Sequence, residues 1–184
     1  ADDLSLPGRE EQWSLVTEYR VHLAIESRDW PAAERLQRVC VEWDRRRAAA
    51  LLARPPEGLA ANEKNSLRSL AVSMEQLGQI QRDIGMTECA QTMQDAIPIC
   101  QRIGHRAEEA VLAFNLGHAY KDLPALRDLD AAEGWYQRSL ELRAEGDRQG
   151  KAKCYSQLGM VEYEKFMDAK KTKQSDDELL KLLN

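Results

Sequence analysis

A leucine–glycine pair recurs three times along this chain, at Leu77-Gly78, Leu116-Gly117 and Leu158-Gly159. Successive pairs lie roughly forty residues apart, and self-similarity at such a period predicts an array of stacked repeats. In an array of this kind, each unit buries its apolar face only against its neighbours. The pair therefore constrains the fold more than any other feature of the sequence.

The clearest unit spans residues 110–147, and its pattern predicts two helices joined by a short loop. At about 100° per residue, Ala113, Leu116 and Tyr120 lie on one face of the first helix. Gly117 lies at the edge of that face, although glycine inside a helix costs about 0.5–1 kcal/mol relative to alanine. We expect the missing side chain to let a second helix approach closely.

The second helix of this unit is predicted to begin near Asp130. Asp130 and Glu133 are spaced as in a capping box, in which the first residues of a helix exchange hydrogen bonds with its free backbone amides. Gly146 occupies a position where glycine commonly ends a helix. The residues expected on the buried side are Ala132, Tyr136, Ser139 and Leu140.

Together, Leu116-Gly117-x-x-Tyr120 and Ala132-x-x-x-Tyr136-x-x-Ser139-Leu140 resemble a tetratricopeptide repeat. The loop at residues 122–127 is longer than in the shortest form of the motif, and it is similar to that of variants with a period of roughly forty residues. The resemblance implies an all-α fold, an α-solenoid of about 3.5–4 antiparallel helix pairs in a right-handed superhelix. It also implies that the first helices line a concave groove.

We expect a single domain over residues 1–184. The first repeat lacks the leucine–glycine pair, as is typical of a terminal unit, and its second helix is extended until Pro55 and Pro56 break it. The apolar residues expected along its first helix are Trp13, Val16, Tyr19 and Leu23. The predicted boundaries are 11–53 for this atypical repeat, 60–104 for the second, 107–146 for the third and 150–184 for a fourth that is cut short.

A proline inside the second repeat predicts an irregularity. Pro98 follows a helical pattern that begins near Thr87. Proline in a helix removes one hydrogen bond, and its ring clashes with the preceding turn. We therefore expect a kink or a local break near Gln94.

The fourth repeat is predicted to have a first helix at residues 150–169, a polar linker at residues 170–174 and a short second helix from Asp176. An isolated helix of that length is marginal in water, so it has to dock or fray. We expect its apolar edge to dock on the first helix or on another copy of the chain, which would cause self-association. That edge consists of Leu179, Leu182 and Leu183.

Charge and cysteine usage restrict the partner and the compartment. A net charge of −5 disfavours nucleic acid as a partner, and no apolar run reaches the length of a membrane span. Cys40, Cys89, Cys100 and Cys154 lack metal or redox spacing, and we expect buried, reduced thiols, as is typical of a cytoplasmic protein. The sequence has no signal peptide and no initiating methionine, which indicates a fragment or a processed product.

The sequence contains no pattern typical of an active site. His22, His105 and His118 lie far apart and have no partner at metal-ligand spacing. No glycine-rich loop stands between a strand and a helix, and no serine lies in a strand-to-helix turn. We therefore expect no catalysis, no cofactor and no bound metal.

The favoured function is a protein-interaction scaffold that binds a peptide or a partner protein in the concave groove. The groove side of each first helix lies about 180° from its packed leucine. The candidate residues are Glu75, Gln76, Gln79 and Asp83 in the second repeat, Phe114, Asn115, His118 and Asp122 in the third, and Lys153, Gln157 and Met160 in the fourth. Phe114 and Met160 are apolar residues expected to be exposed there, where such side chains often mark contacts.

A second hypothesis places this array in a larger protein. Long-period tetratricopeptide arrays resemble the sensor or regulatory arms of bacterial signalling NTPases and proteases. The missing methionine and the abrupt C-terminal end motivate this alternative. A P-loop or a catalytic Cys/His domain elsewhere in the reading frame would support it.

Overall fold

The structure is a computed structural model that describes the backbone of residues 10–182 and the side chains of residues 12–173. The described chain is all-helical, 85% of it in helix, and it contains seven α-helices and no strand. The helices are α1 Glu10–Glu26, α2 Trp30–Leu52, α3 Ala61–Asp83, α4 Glu88–Ile103, α5 Arg106–Asp122, α6 Leu129–Leu142 and α7 Arg148–Leu182. The all-α prediction is confirmed.

Each helix packs mainly against the next one in the chain, and α3 also contacts α5. This serial packing is consistent with an α-solenoid, in which each unit buries its apolar face against its neighbours. The largest core cluster joins α2, α3, α4 and α5. Its members that are at most 2% exposed include Leu67, Leu70, Met74, Met93, Leu112 and Leu116.

Local backbone chemistry defines the start of α2 and the end of α3. The side chain of Asp29 accepts a hydrogen bond of 3.1 Å from the amide of Ala32, and Pro31 lies in the first turn of α2, where its missing N–H is not needed. Gly85, with a positive φ of 81°, follows the end of α3.

The start of α6 differs by a few residues from the prediction. The N-cap is Asp128, and its carboxylate accepts from the amides of Asp130 and Ala131. Asp128 accepts both bonds because it is the last extended residue before the helix, whereas Asp130 is already helical. The helix also ends at Leu142, before Gly146.

The close approach predicted at the leucine–glycine pairs is confirmed at two of the three. A Cβ atom on Gly78 would lie 2.6 Å from Cγ of Met93, and one on Gly117 would lie 2.6 Å from Cδ1 of Tyr136. Each glycine therefore makes room for a large side chain of the following helix. At Gly159 nothing lies within 4 Å, so the prediction is wrong there.

Helix α4 continues through Pro98 without interruption, so the predicted local break near Gln94 is wrong. Pro98 is exposed, and α4 packs against α3 and α5. The buried Met93, Ala96 and Cys100 hold the helix on both sides of the proline. Tertiary packing thus outweighs the lost backbone bond. A bend of the axis at this point stays a prediction.

The fourth repeat is not a helix pair, because α7 is one helix of 35 residues. The predicted linker at residues 170–174 is helical. It contains no glycine or proline, and lysine and glutamine are good helix formers, so nothing local ends the helix there. Leu179 and Leu182 therefore continue the same helix and do not fold back on it. Their side chains, and all of Leu183, lie outside the described residues, so self-association stays a prediction.

Helix α1 buries a face other than the one expected. Val16, Tyr19 and Leu23 of α1 are exposed, whereas Thr17, Val21 and Ala24 are the buried residues of that helix. On α7, the exposed aromatic residues are Tyr155, Tyr163 and Phe166. Periodicity identifies an apolar face but does not show whether another helix covers it. Among the described residues, each outer helix packs mainly against one neighbouring helix.

Candidate peptide-binding groove

A groove of about 470 Å³ runs between α1 and α3, with α2 beneath it. Three candidates from the second repeat, Gln76, Gln79 and Asp83, line it, as does Val72 of the same helix. These residues share the side of α3 away from the buried Leu77. Helices α1 and α3 thus contribute to one concave surface.

A buried glutamine of α2 orients the floor of this groove. Gln37 is 2% exposed, and its Nε2 donates to the carbonyl oxygen of Ser73 at 3.0 Å and to Oε1 of Gln76 at 3.2 Å. These bonds satisfy the buried amide and fix the side chain of Gln76. Gln37 is not among the residues predicted from the sequence, although it lies at helical spacing between Ala33 and Cys40, which are both buried.

The charged side chains around the groove are mostly acidic. The ionisable residues that line it are Glu18, Asp44, Asp83, Arg47 and His22. Burial raises the pKa of Asp44, and the hydroxyl of Ser73, which donates to it, opposes that shift. The excess of carboxylates over the single arginine gives the groove a negative potential, which attracts cations.

Glu75 and Asn115 bind each other across the junction between α3 and α5. The Nδ2 atom of Asn115 donates to Oε1 of Glu75 at 2.6 Å, and the Gln79 amide donates to the same oxygen. Burial raises the pKa of Glu75, while the Gln79 bond opposes the shift. Asn115 is only 7% exposed. These two candidates therefore join neighbouring units, and Asn115 presents little surface to a ligand.

The third-repeat candidates Phe114 and His118 belong to an aromatic cluster with Tyr136. The ring of Phe114 lies 4.7 Å from that of His118 and 5.5 Å from that of Tyr136, both edge to face. The guanidinium of Arg143 lies 5.9 Å above the Phe114 ring. The exposure expected of Phe114 is not observed, because α6 covers the ring. Asp122, four residues after His118, is exposed at the edge of this cluster.

The fourth-repeat candidates stand apart from the others. Lys153 and Met160 are exposed, and Oε1 of Gln157 is buried without a partner among the described residues. No described hydrogen bond or ion pair joins these three residues to the candidates on α3 and α5. The described contacts thus bring the second and third repeats together and leave the α7 candidates separate.

We expect the stability of the fold to fall on acidification through His118. Burial holds the pKa of this imidazole below its ordinary value of 6.5, and Nδ1 shares a hydrogen bond of 3.1 Å with the Tyr136 hydroxyl. As pH falls through 6.5, the unfolded chain therefore gains a proton that the folded chain resists, and the free energy of unfolding decreases. Urea denaturation at pH 7.5 and 5.5 measures the loss.

The matched variant for this prediction is His118→Gln, which does not titrate. The raised pKa values of Glu75 and Asp44 act in the opposite direction, because these carboxyl groups favour the folded state on acidification. Both proteins share those carboxyl groups, so their difference isolates the imidazole. A variant that lost as much stability as the wild type between the two pH values would contradict the assignment.

Other kinds of site are not observed in the described part of the chain. No group of three or more His, Cys, Asp or Glu side chains there could hold a metal ion, and no helix is long and apolar enough to cross a membrane. All four cysteines are buried and free, as expected. Burial raises the pKa of Cys40 to about 11 and that of Cys100 to about 12, so both are neutral thiols near pH 7.

Two comparisons with known proteins identify no relative of this chain. No family of known proteins matches the chain, and no curated protein matches it significantly. The function of the chain is therefore inferred from its residues and their geometry.

Proposed function

We propose that this chain is a tetratricopeptide-like, right-handed solenoid that acts as a non-catalytic scaffold and binds a peptide or a partner protein in the groove between α1 and α3. The observation that carries the proposal is the convergence of Gln76, Gln79 and Asp83 on that groove. Four buried thiols that form no disulfide support a reducing, cytoplasmic setting.

The chemistry of the groove favours an extended basic peptide. Glutamine side chains carry both a donor and an acceptor, so Gln76 and Gln79 can bond to the backbone of an extended chain. Val72 and Ile80 supply apolar contacts on the same surface. Asp83 and Glu18 also line the groove, and carboxylates pair well with lysine or arginine. The Asp83 carboxylate already accepts a bond of 2.9 Å from Arg82, so a basic peptide would share it with that guanidinium.

The test is selection from a displayed library of random twelve-residue peptides. We expect enrichment of peptides that contain lysine or arginine, and Asp83→Lys should weaken their binding by about tenfold or more, because one ion pair becomes a like-charge contact. The matched control is Glu145→Lys, which makes the same charge change at an exposed position after α6. Equal binding of the selected peptides to both variants would show that the groove is not the site.

A second candidate function is the regulatory arm of a larger signalling NTPase or protease. The observation that favours it is the exposed face of α7, where Tyr155, Tyr163 and Phe166 are 62%, 57% and 64% exposed. Large exposed aromatic residues on one helix can mark an interaction surface. The complete reading frame discriminates between the candidates. A P-loop or a catalytic Cys/His domain in the same frame supports the arm, and a frame of about this length removes it.

A further inference from the structure

A second and larger cavity, of about 640 Å³, lies between α2 and α4. It shares no lining residue with the groove. Its volume falls within the range of roughly 300–1,000 Å³ that is typical of small-molecule sites. We name it the tryptophan cavity, after Trp13 and Trp43, which line it together with Met74 and Leu77.

The interior of the tryptophan cavity is apolar and aromatic. Met74 and Leu77 are 2% and 4% exposed and belong to the main core of the fold. The rings of Trp13 and Trp43 lie 6.1 Å apart at an angle of 59°. Flat aromatic walls on an apolar floor favour a ligand with a flat apolar body, because such a body can stack on one ring and cover the floor.

Trp43 also carries a hydrogen-bond donor that the described residues leave unused. Its indole Nε1 is buried and has no partner in residues 12–173. A buried donor without a partner destabilises the fold, so most such groups in native proteins are paired. No described residue therefore offsets the cost of burying this donor.

The rim of the tryptophan cavity is basic, although the whole chain is acidic. The charged residues that line it are Arg35, Arg38, Arg45, Arg46, Glu42 and Asp95. Two of the arginines bond to carboxylates one turn earlier on α2, at 2.7 and 3.0 Å. Arg35 and Arg45 have no described hydrogen bond or ion pair to any of residues 12–173. Their guanidinium groups are available to an anion.

From these observations we infer that the tryptophan cavity binds a small organic anion with a flat apolar body. The body lies against the Trp43 ring and the Met74–Leu77 floor, and a carboxylate, sulfonate or phosphate group pairs with Arg35 or Arg45. Guanidinium groups bind such oxyanions through paired N–H bonds. The two arginines are ten residues apart, about 15 Å along the helix. A small ligand is shorter than this distance, so its anionic group pairs with only one of the two arginines.

The test uses two probes that differ in one charged group. 8-Anilinonaphthalene-1-sulfonate has a flat apolar body with a sulfonate, and N-phenyl-1-naphthylamine has the same rings without it. We expect the sulfonate to bind at one site per chain with energy transfer from tryptophan, and to bind about tenfold more tightly than the neutral amine. Added salt should weaken binding of the sulfonate probe and leave binding of the neutral amine unchanged.

Single substitutions locate the anionic group. Arg35→Gln or Arg45→Gln should weaken the sulfonate by about tenfold and leave the neutral amine unchanged. Arg148→Gln is the matched control, because it removes the same charge at an exposed position on α7. All three substitutions are at exposed residues, so thermal melts by circular dichroism should agree with the wild type.

Two results would overturn the inference. If Arg148→Gln weakened binding of the sulfonate probe as much as the α2 variants did, the probe would be attracted by the overall charge of the protein and not by Arg35 or Arg45. If Tyr163→Ser abolished binding while both α2 variants retained it, the probe would occupy the exposed face of α7. Loss of sulfonate binding in either α2 variant, with the amine unaffected, supports the cavity.

Discussion

Replacing Gly117 by alanine is expected to lower the free energy of unfolding by about 1–2 kcal/mol. The added methyl would lie 2.6 Å from Cδ1 of Tyr136, a ring that is fully buried and has no room to move. Overpacking of that kind costs about 1–3 kcal/mol, and the gain of about 0.5–1 kcal/mol from helix propensity offsets only part of it. Urea denaturation of the wild type and of the variant measures this loss as a difference between their unfolding midpoints.

The other two leucine–glycine pairs provide matched controls for this prediction. Gly159→Ala meets nothing within 4 Å, so propensity alone should stabilise that variant by about 0.5–1 kcal/mol. The stability of Gly78→Ala should fall between those two, because the two nearest atoms that its Cβ meets belong to the flexible side chain of Met93. If all three variants gained stability equally, the close approach at Gly117 would have no energetic consequence.

Leu116→Ala is expected to destabilise the fold by about 2–5 kcal/mol, the range for truncating a fully buried leucine. Leu116 is 0% exposed and belongs to the cluster that joins α2, α3, α4 and α5. Shortening its isobutyl side chain to a methyl group loses apolar burial, and the cavity cannot collapse fully because helices surround it. The effect should appear in the urea midpoint and in the melting temperature.

The control for Leu116→Ala is Leu23→Ala on α1. Leu23 is 60% exposed, so the same chemical change should alter stability by no more than about 0.5 kcal/mol. A similar loss in both variants would mean that apolar content, and not burial between stacked units, determines the effect. It would also remove the physical basis for treating the leucine–glycine pair as the centre of each unit.

Much of the second and third units could be predicted from the sequence. Leu77, Leu116, Ala132 and Tyr136 are buried as expected, and the Pro55-Pro56 break falls between α2 and α3 as predicted. Helix periodicity, proline and glycine act over a few residues, so they can be assessed without knowledge of the rest of the fold. Gln76, Gln79 and Asp83 were placed on one surface by the same local geometry.

Features that depend on distant contacts could not be predicted in this way. Glu75 and Asn115 are 40 residues apart in sequence, and their hydrogen bond depends on the alignment of α3 with α5. The tryptophan cavity likewise depends on how α2, α3 and α4 are spaced. Periodicity gives the direction of a side chain but not the identity of the group that meets it.

The sequence by itself determined the all-helical class, the internal close approach at Gly78 and Gly117, and the burial of the four cysteines. Only the tertiary structure decided which apolar faces are covered. The predicted stripe on α1 has the same helical spacing as the buried ones, yet Val16, Tyr19 and Leu23 are exposed. Burial needs a neighbouring helix on that side, and the described residues place none there, because each helix packs mainly against the helices next to it in the chain.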